Sequence, residues 1–338
     1  MGESEPLLSV RELRVAFPSD RGTVQAADGV SFDVAEGEVV AVVGESGSGK
    51  TVTALSVLRL LPRTARISGQ VLFRGTNVLD LPDKKLEALR GDKVAMVFQD
   101  ALAALNPLHR VGDQVGEAIR LHNHKISAKD ERARVVELLT SVGIPNPAAR
   151  SREYPHQFSG GMRQRAMIAM AIANDPDLLI ADEPTTALDV TTQAQVLEVL
   201  AEARARTGSA MVIISHDLGV VAGVADRVVV MYAGRVVETG TVRQVFHHPE
   251  HPYTAGLLAT LPRLDDRARR RLARIPGQPP SPVDLPPGCP FHPRCTLASL
   301  PEPCADERPE LRSVTEADHR SACHFAGALA ARPLEAGR

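Results

Sequence analysis

The sequence predicts an α/β protein built around a largely parallel central sheet. Short runs rich in Val, Ile and Leu alternate with amphipathic stretches, as expected for strands that are buried on both faces of a sheet. One run, at 39–43, is followed by a glycine-rich loop and then by a helical pattern over 51–61. After Leu261 the composition changes, and prolines crowd the stretch 276–293. We therefore expect an α/β domain followed by a small irregular C-terminal extension.

The individual elements follow from periodicity. Near-continuous apolar runs predict strands at 30–34, 39–43, 71–73, 94–98, 178–181, 210–215 and 227–231. The segment from about 101 to 174 is almost free of such runs, and we expect an inserted helical lobe there. A later helix is predicted from apolar residues on one face, at Val190, Ala194, Leu197 and Ala201. We expect the α/β domain to span residues 1–262 and the extension to span residues 263–338.

Composition excludes several classes of protein. The 338 residues carry 39 Lys and Arg against 41 Asp and Glu, so the basic excess that is typical of nucleic-acid-binding proteins is missing. No apolar run approaches the ~20 residues needed to cross a bilayer, and the acidic N-terminus does not resemble a secretory signal. All four cysteines lie after residue 288, which fits a reducing compartment. We expect a soluble chain that reaches membranes only by docking onto other subunits.

The glycine-rich loop has the sequence of a phosphate-binding loop. It follows an apolar strand and opens a helix, and it consists of Gly44, Glu45, Ser46, Gly47, Ser48, Gly49, Lys50 and Thr51. The glycines allow successive N–H groups to point at a phosphate, and the helix dipole adds to that field. Lys50 is expected to reach the β- and γ-phosphates, and the Thr51 hydroxyl is expected to bind Mg²⁺. This local pattern is specific because the strand and the helix both flank it as required.

Polar residues at the ends of three other predicted strands are candidates for the chemistry. Asp182 is placed to hold Mg²⁺, and Glu183 is placed to polarise an attacking water. His216 is a candidate γ-phosphate contact, and Gln99 a candidate sensor of Mg²⁺ and of the attacking water. Taken singly, each has a plain structural alternative: acids at strand ends often cap helices, and a lone His is often structural. The phosphate loop makes the catalytic interpretation the stronger one.

A second glycine-containing helix start identifies a family. Ser159 is a good N-cap, and Gly160 and Gly161 expose backbone N–H groups behind it. With the phosphate loop, Gln99, the acid pair, Ala187-Leu188-Asp189 and His216 in this order, the chain over residues 7–262 resembles the ABC ATPases. Their usual signature is Leu-Ser-Gly-Gly-Gln, whereas this chain has Phe158 and Met162 at the outer positions. Neither change removes a backbone donor.

That resemblance implies the ABC ATPase nucleotide-binding domain: a RecA-like core with a mixed β-sheet, and a helical subdomain at about 101–174. It implies ATP and Mg²⁺ as cofactors and two cassettes packed head to tail. ATP held by Lys50 of one cassette is then capped by Ser159, Gly160 and Gly161 of the other, with Asp189 beside the nucleotide. Phe17 is expected to stack on the adenine, although a core position at a strand end is the alternative.

Details of these motifs are similar to the dipeptide and oligopeptide importer branch. They are the Phe-Ser-Gly-Gly-Met variant, the Glu45 form of the loop and Leu105-Asn106-Pro107. The branch implies two transmembrane permease subunits, a second homologous ATPase in a heterodimer, and an extracytoplasmic solute-binding protein, but no nucleic acid. It places the chain peripherally, at the cytoplasmic face of the plasma membrane. Import of nickel, glutathione or other small solutes is the alternative, and a non-transport ABC ATPase is a remote one.

The extension carries Cys289, Cys295, Cys304 and Cys323, and it resembles the C-terminal region of peptide-importer ATPases. In some relatives four such cysteines hold a [4Fe-4S] cluster, which we expect here. Four thiolates can also bind Zn²⁺, and unoccupied thiols or disulfides stay open. His292, His319 and His324 are secondary ligand candidates. The basic run 267–274 is expected to be a solvated linker, with contact to anionic lipid as the alternative.

Overall fold

The computed structural model describes residues 5–20, 22–186, 188–261, 274–314 and 318–328. Ala187 and most of the basic run 267–274 lie outside the described residues. The chain divides into two compact units. The first unit comprises the described residues within 1–8, 34–39 and 73–214, and the second unit comprises those within 9–33, 40–72 and 215–338.

Helices and strands alternate along the described residues, as the sequence predicts. The strands are β1 Leu8–Ser19, β2 Gly22–Val34, β3 Val39–Val43, β4 Arg66–Phe73, β5 Thr76–Asn77, β6 Val94–Val97, β7 Leu178–Asp182, β8 Ala210–Ser215, β9 Arg227–Tyr232, β10 Arg235–Thr241, β11 Arg312–Ser313 and β12 Arg320–Ser321. The α-helices are α1 Lys50–Val57, α2 Asp83–Leu89, α3 Ala101–Ala104, α4 Val111–His122, α5 Ala128–Ser141, α6 Pro147–Arg150, α7 Gly160–Ala171, α8 Val190–Thr207, α9 Leu218–Ala222, α10 Val242–His247 and α11 Pro252–Ala259.

The first unit is built on three parallel strands. β7 lies between β6 and β8, with Leu178 opposite Val94 on one side and opposite Ala210 on the other. All residues of these strands are buried, which explains why each reads as an unbroken apolar run. Parallel strands place their carboxyl ends at one edge, where Asp182 ends β7, Glu183 comes directly after it, and Gln99 follows β6.

The same unit contains the expected strand-free lobe. Helices α3 to α7 occupy residues 101–171, and α7 packs against α3, α4 and α5. Side-chain caps define helix starts: Ser127 accepts from Asp130 N–H, and Ser159 accepts from Met162 N–H. The fold class is confirmed, and the segment predicted as a lobe is helical, with its last helix, α7, ending at Ala171, shortly before the predicted end of the lobe at about 174.

The second unit contains two sheets. In one, β1 lies between β2 and β4. In the other, β3 and β9 are parallel, and β9 and β10 are antiparallel with a bulge between Val236 and Glu238. β12 then pairs with β10, and β11 with β12, both antiparallel. The C-terminal extension therefore adds two short strands to this sheet, a feature that the sequence did not predict.

Several predicted bounds need correction. The strand predicted at 30–34 is the end of the longer β2, the one at 71–73 is the end of β4, and β1 and β10 were missed. Charged residues interrupt the apolar pattern of β1, since Arg11, Glu12 and Arg14 are exposed. The helix predicted over 51–61 ends at Val57, because Arg59 takes a positive φ of 49° that a right-handed helix does not accommodate.

No helix among the described residues is both long enough and apolar enough to span a bilayer.

Candidate nucleotide-binding site

The phosphate loop connects β3 to α1 in the second unit. The Lys50 side chain is 4% exposed and turns back over the loop. Its Nζ donates to the carbonyl oxygens of Gly44 at 2.8 Å and Glu45 at 3.0 Å. A buried ammonium is thus fixed at the start of a helix, where the helix dipole is also positive. Both features favour binding of an anion at this loop.

Two glycines of the loop are required by close backbone approach. A Cβ at Gly44, which has a φ of 155°, would lie 2.2 Å from the Met231 carbonyl oxygen. A Cβ at Gly49, with a φ of 97°, would lie 2.3 Å from the Ala26 carbonyl oxygen. In the same loop the Ser48 Oγ is buried, and it has no hydrogen-bond partner in the part of the chain that the structure describes. Such an orphaned hydroxyl fits a loop that is completed by a phosphate group.

Glu45 is held by residues outside the loop. Its backbone N–H donates to the Tyr253 hydroxyl at 2.7 Å. Its carboxylate accepts two hydrogen bonds from the Arg294 guanidinium, at 2.6 and 3.0 Å. Burial lowers the pKa of Arg294, but the hydrogen bonds to Glu45 and Tyr232 more than offset this, so the pKa is raised. Burial also raises the pKa of Tyr253, so its hydroxyl keeps its proton at neutral pH.

The acid pair ends β7 in the first unit. Asp182 is buried, and Glu183 adopts a left-handed φ of 44°, with its N–H donating to the Ile214 carbonyl at 3.0 Å. A single oxygen of the Glu183 carboxylate, Oε2, accepts from Gln99 Nε2 at 3.1 Å and from Thr186 Oγ1 at 2.8 Å. Two residues that were predicted separately for the site, Gln99 and Glu183, are therefore in direct contact. A positive φ at a non-glycine residue is strained and is typical of functional positions.

The signature segment starts α7, also in the first unit. Ser159 caps the helix by accepting from Met162 N–H at 3.3 Å. Phe158 is 3% exposed, so the atypical residue anchors the segment in the core, while Gly160 is exposed. A Cβ at Gly161 would lie 2.7 Å from the Thr192 methyl group. The helix start is therefore accessible and closely packed against α8.

Asp189 is the N-cap of α8 and is exposed. It accepts from Thr192 N–H at 3.0 Å and from Thr192 Oγ1 at 2.7 Å. These hydrogen bonds lower the pKa of Asp189. The geometry gives this residue a capping function, and its place beside a nucleotide stays a prediction.

Three further predicted residues lie in the second unit. Phe17 is half-buried in β1, Thr51 is half-buried in α1, and His216 is exposed directly after β8. Their predicted contacts with the nucleotide stay predictions. Sequence reasoning missed Thr186, Tyr253 and Arg294. Thr186 lies three residues after Glu183 and Arg294 directly before Cys295, so both stood close to recognised motifs, but neither position indicated the contact that the residue makes.

The four cysteines line one small cavity of about 20 Å³ and are not joined by disulfides. Burial raises the pKa of Cys295 to about 11 and of Cys323 to about 12, and it also raises the pKa of Cys289. His292 and His324 border the same cavity, whereas His319 hydrogen-bonds Glu238 at 2.9 Å. Four thiols are the donor type that an iron–sulfur cluster or a zinc ion requires. Within the described residues, however, no three His, Cys, Asp or Glu side chains are grouped closely enough to hold a metal ion.

Two family models match the chain. The ABC transporter model matches residues 27–186, and the oligopeptide/dipeptide transporter C-terminal region matches residues 237–304. Among solved structures, the ATP-binding cassette MJ0796 bound to ADP and Pi matches with a TM-score of 0.63 and 27% identity, covering 70% of this chain and 99% of that one. The structure of cbiO1 from Clostridium perfringens matches with a TM-score of 0.62 and 29% identity, covering 72% and 92%.

Curated relatives are closer in sequence. The dipeptide transport ATP-binding protein DppD of Bacillus subtilis is 53% identical over 293 residues, which cover 86% of this chain and 87% of that protein. The oligopeptide transport ATP-binding protein OppD of Mycobacterium tuberculosis is 54% identical over 318 residues. These residues are 94% of this chain but 52% of that protein, so the chain spans about half the length of the mycobacterial relatives. The chain belongs to the ABC transporter ATP-binding proteins, in their oligopeptide and dipeptide branch.

Proposed function

We propose that this chain is the ATP-hydrolysing subunit of an ABC importer that energises uptake of di- or oligopeptides across the plasma membrane. The observation that carries the proposal is the combination of two parts. One is a glycine-lined loop with a buried, internally held lysine, and the other is a glutamate whose carboxylate is oriented by Gln99 and Thr186. Both parts are needed for hydrolysis: the first to bind a triphosphate, the second to activate water.

The loop binds and neutralises the triphosphate. Its N–H groups and Lys50 contact the β- and γ-phosphates, and the buried Ser48 hydroxyl gains a partner. Thr51, Asp182 and Gln99 are the residues that would hold Mg²⁺, which when bound neutralises charge on the phosphates. Phe17 stacks on the adenine. These residues bind ATP and do not react themselves.

Glu183 and His216 carry out the hydrolysis. Two hydrogen bonds to Oε2 fix the orientation of the Glu183 carboxylate, so that it accepts a proton from the attacking water without a search among rotamers. His216 contacts the γ-phosphate and orients the water. A second cassette supplies the exposed start of its α7, with Ser159, Gly160 and Gly161, and its Asp189 beside them. ATP between two cassettes then drives closure, and hydrolysis reopens them.

Transport requires further chains. We assign two transmembrane permease subunits, a second homologous ATPase and an extracytoplasmic solute-binding protein as partners, and a peripheral position at the cytoplasmic face of the membrane. The match to the peptide transporter C-terminal region and the relatives' names support peptides as the cargo. We divide the chain at about residue 262, with the cassette before it and the cysteine extension after it.

The extension is proposed to hold a [4Fe-4S] cluster on Cys289, Cys295, Cys304 and Cys323. The convergence of four thiols on one cavity supports this. When bound, the cluster cross-links these four residues. Anaerobic purification followed by iron, sulfide and zinc analysis tests the assignment: four irons and four sulfides per chain are expected. Colourless, iron-free protein would refute the cluster. One equivalent of zinc per chain would instead identify the four cysteines as a zinc site.

The function is tested by purifying the chain with the proteins encoded beside it and measuring phosphate release in lipid vesicles. Di- or oligopeptides with the solute-binding protein should stimulate hydrolysis, and a Lys50→Ala variant should lack it. Stimulation by nickel or glutathione, and not by peptides, would reassign the transported solute. Tight binding to nucleic acid, without any association with permeases, would overturn the transport function.

A further inference from the structure

We infer that Arg294 is a positioning residue of the phosphate loop, so that the C-terminal extension is part of the nucleotide site. This inference rests on the proposed binding of ATP at residues 44–51. Arg294 lies one residue before Cys295, about 250 residues after the loop. Its guanidinium nevertheless forms a two-point ion pair with the carboxylate of Glu45, at 2.6 and 3.0 Å.

The Arg294 side chain is also held by contacts that do not involve Glu45. It is 6% exposed, and its Nε donates to the Pro276 carbonyl oxygen at 2.9 Å. The guanidinium carbon lies 5.8 Å from the centre of the Tyr232 ring and 5.9 Å from that of Phe291. A guanidinium packed against two aromatic rings and bonded to a carbonyl is held before any partner arrives. The arginine therefore determines where the Glu45 side chain lies, rather than following it.

The backbone of Glu45 is held by the same group of residues. Its N–H donates to Tyr253, whose ring lies 4.6 Å from Tyr232 and 5.5 Å from Phe291, centre to centre. Arg294 and the aromatic residues packed around it therefore hold Glu45 by hydrogen bonds to both its backbone and its side chain. The carbonyl of Glu45 accepts from Lys50 at 3.0 Å, so Glu45 connects this cluster directly to the phosphate-binding lysine.

The charge of Glu45 explains why an arginine is needed there. A carboxylate within a loop that binds a polyphosphate repels its ligand, and the repulsion increases with the charge of the nucleotide. Arg294 offsets this negative charge because its guanidinium is hydrogen-bonded directly to the carboxylate. Because Glu45 is only 27% exposed and Arg294 5% in their side chains, solvent screens the pair less than it would a surface pair. Loss of the arginine should weaken binding of ATP more than binding of ADP.

The test is a set of nucleotide titrations on the full-length chain, with a fluorescent ATP analogue displaced by Mg-ATP or Mg-ADP. Arg294→Gln should raise the Kd for ATP roughly tenfold, the effect of a partly buried charge pair, and the Kd for ADP by less. The double variant Glu45→Gln with Arg294→Gln should return to within about threefold of wild type, because no unpaired charge is left. Arg294→Lys keeps the charge and should lose about threefold.

Arg308→Gln is the matched control. Arg308 is another extension arginine in an ion pair, at 3.1 Å, but its partner, Asp28, lies outside the loop. Its removal should leave both Kd values unchanged. In the transport complex, Arg294→Gln should raise the KM for ATP while kcat stays within about twofold.

The outcomes separate the two claims. If wild-type protein and the Arg308→Gln variant fail to bind ATP, the proposed function fails. If they bind and Arg294→Gln binds equally well, the positioning role is overturned. If the double variant binds as poorly as Arg294→Gln, the electrostatic role is overturned and the contact is only structural. If the Arg294→Gln protein misfolds, the ATP affinities of Arg294→Lys and of the double variant are compared instead. Large and equal losses of affinity in both variants would overturn the inference.

Discussion

The phosphate loop and the cysteine extension lie in the same unit but are specified in opposite ways. The loop is specified locally, since eight consecutive residues between β3 and α1 define its glycines, its lysine and its helix start. In its described residues, 274–314 and 318–328, the extension has little regular structure. It is held by distant partners: His319 contacts Glu238, Ser321 contacts the Glu250 carbonyl, and Arg308 contacts Asp28. A local sequence pattern therefore reveals the chemistry of the loop, whereas the role of the extension must be inferred from the residues that it contacts.

The largest effect is expected at Glu183, which lies outside both regions. The loop is proposed to bind the nucleotide, whereas Glu183 is proposed to take part in the chemical step. Glu183→Gln removes the proposed proton acceptor and should lower phosphate release by about 1,000-fold, while ATP stays bound. The exposed Glu137→Gln on α5 is the control. Turnover close to wild type in Glu183→Gln would remove this residue from the mechanism.

The next effect tests whether the loop is fixed by backbone contact. Gly44→Ala places a Cβ 2.2 Å from the Met231 carbonyl oxygen, whereas Gly208→Ala, also at positive φ, meets nothing within 4 Å. We expect losses in the free energy of unfolding of about 3 and about 1 kcal/mol respectively. Denaturant titration measures both. Equal losses would show that strain at positive φ, and not the carbonyl, requires the glycine.

A moderate effect is expected in the extension, where burial raises the pKa of the thiols. In metal-free protein at pH 8, Cys295 should react with iodoacetamide about 20-fold more slowly than a free thiol, because little thiolate is present. The buried thiols stabilise the fold fully below about pH 8.5. This contribution is lost as the pH rises through about 11 and 12, the pKa values of Cys295 and Cys323.

The rate of alkylation against pH, with mass spectrometry of each cysteine, checks this expectation. Rates that saturate below pH 9 would contradict the buried setting. Protection at every pH in anaerobically prepared protein would instead indicate that the thiols are already coordinated.

The smallest effect is expected where the two regions meet. Tyr253→Phe removes the acceptor for Glu45 N–H, a hydrogen bond worth about 1 kcal/mol, and should weaken ATP binding about fivefold. Tyr154→Phe, whose ring stacks on His156 in the first unit, serves as the control. Unchanged ATP affinity in Tyr253→Phe would show that Tyr253 does not influence nucleotide binding by the loop.

The sequence predicted those features that depend on neighbours along the chain. The apolar runs of β3, β7 and β8 were visible because burial on both faces leaves an unbroken pattern, and the acid pair stood out at the end of one such run. β1 was missed because Arg11, Glu12 and Arg14 face solvent within it. The ion pair of Arg294 with Glu45 and the pairing of β12 with β10 join residues far apart in the chain. No local pattern encodes them, because only the folded chain brings these residues together.

The most direct test is the amount of ATP occluded in the proposed transport complex when both proposed ATPase subunits lack their proposed catalytic glutamate, Glu183→Gln in this chain. Nucleotide should be trapped between the loop of one subunit and the α7 start of the other. Adding Ser159→Arg, which blocks the α7 start of this chain, should release the ATP held by the partner's loop and spare the other. Undiminished occlusion in the Ser159→Arg complex would contradict the account.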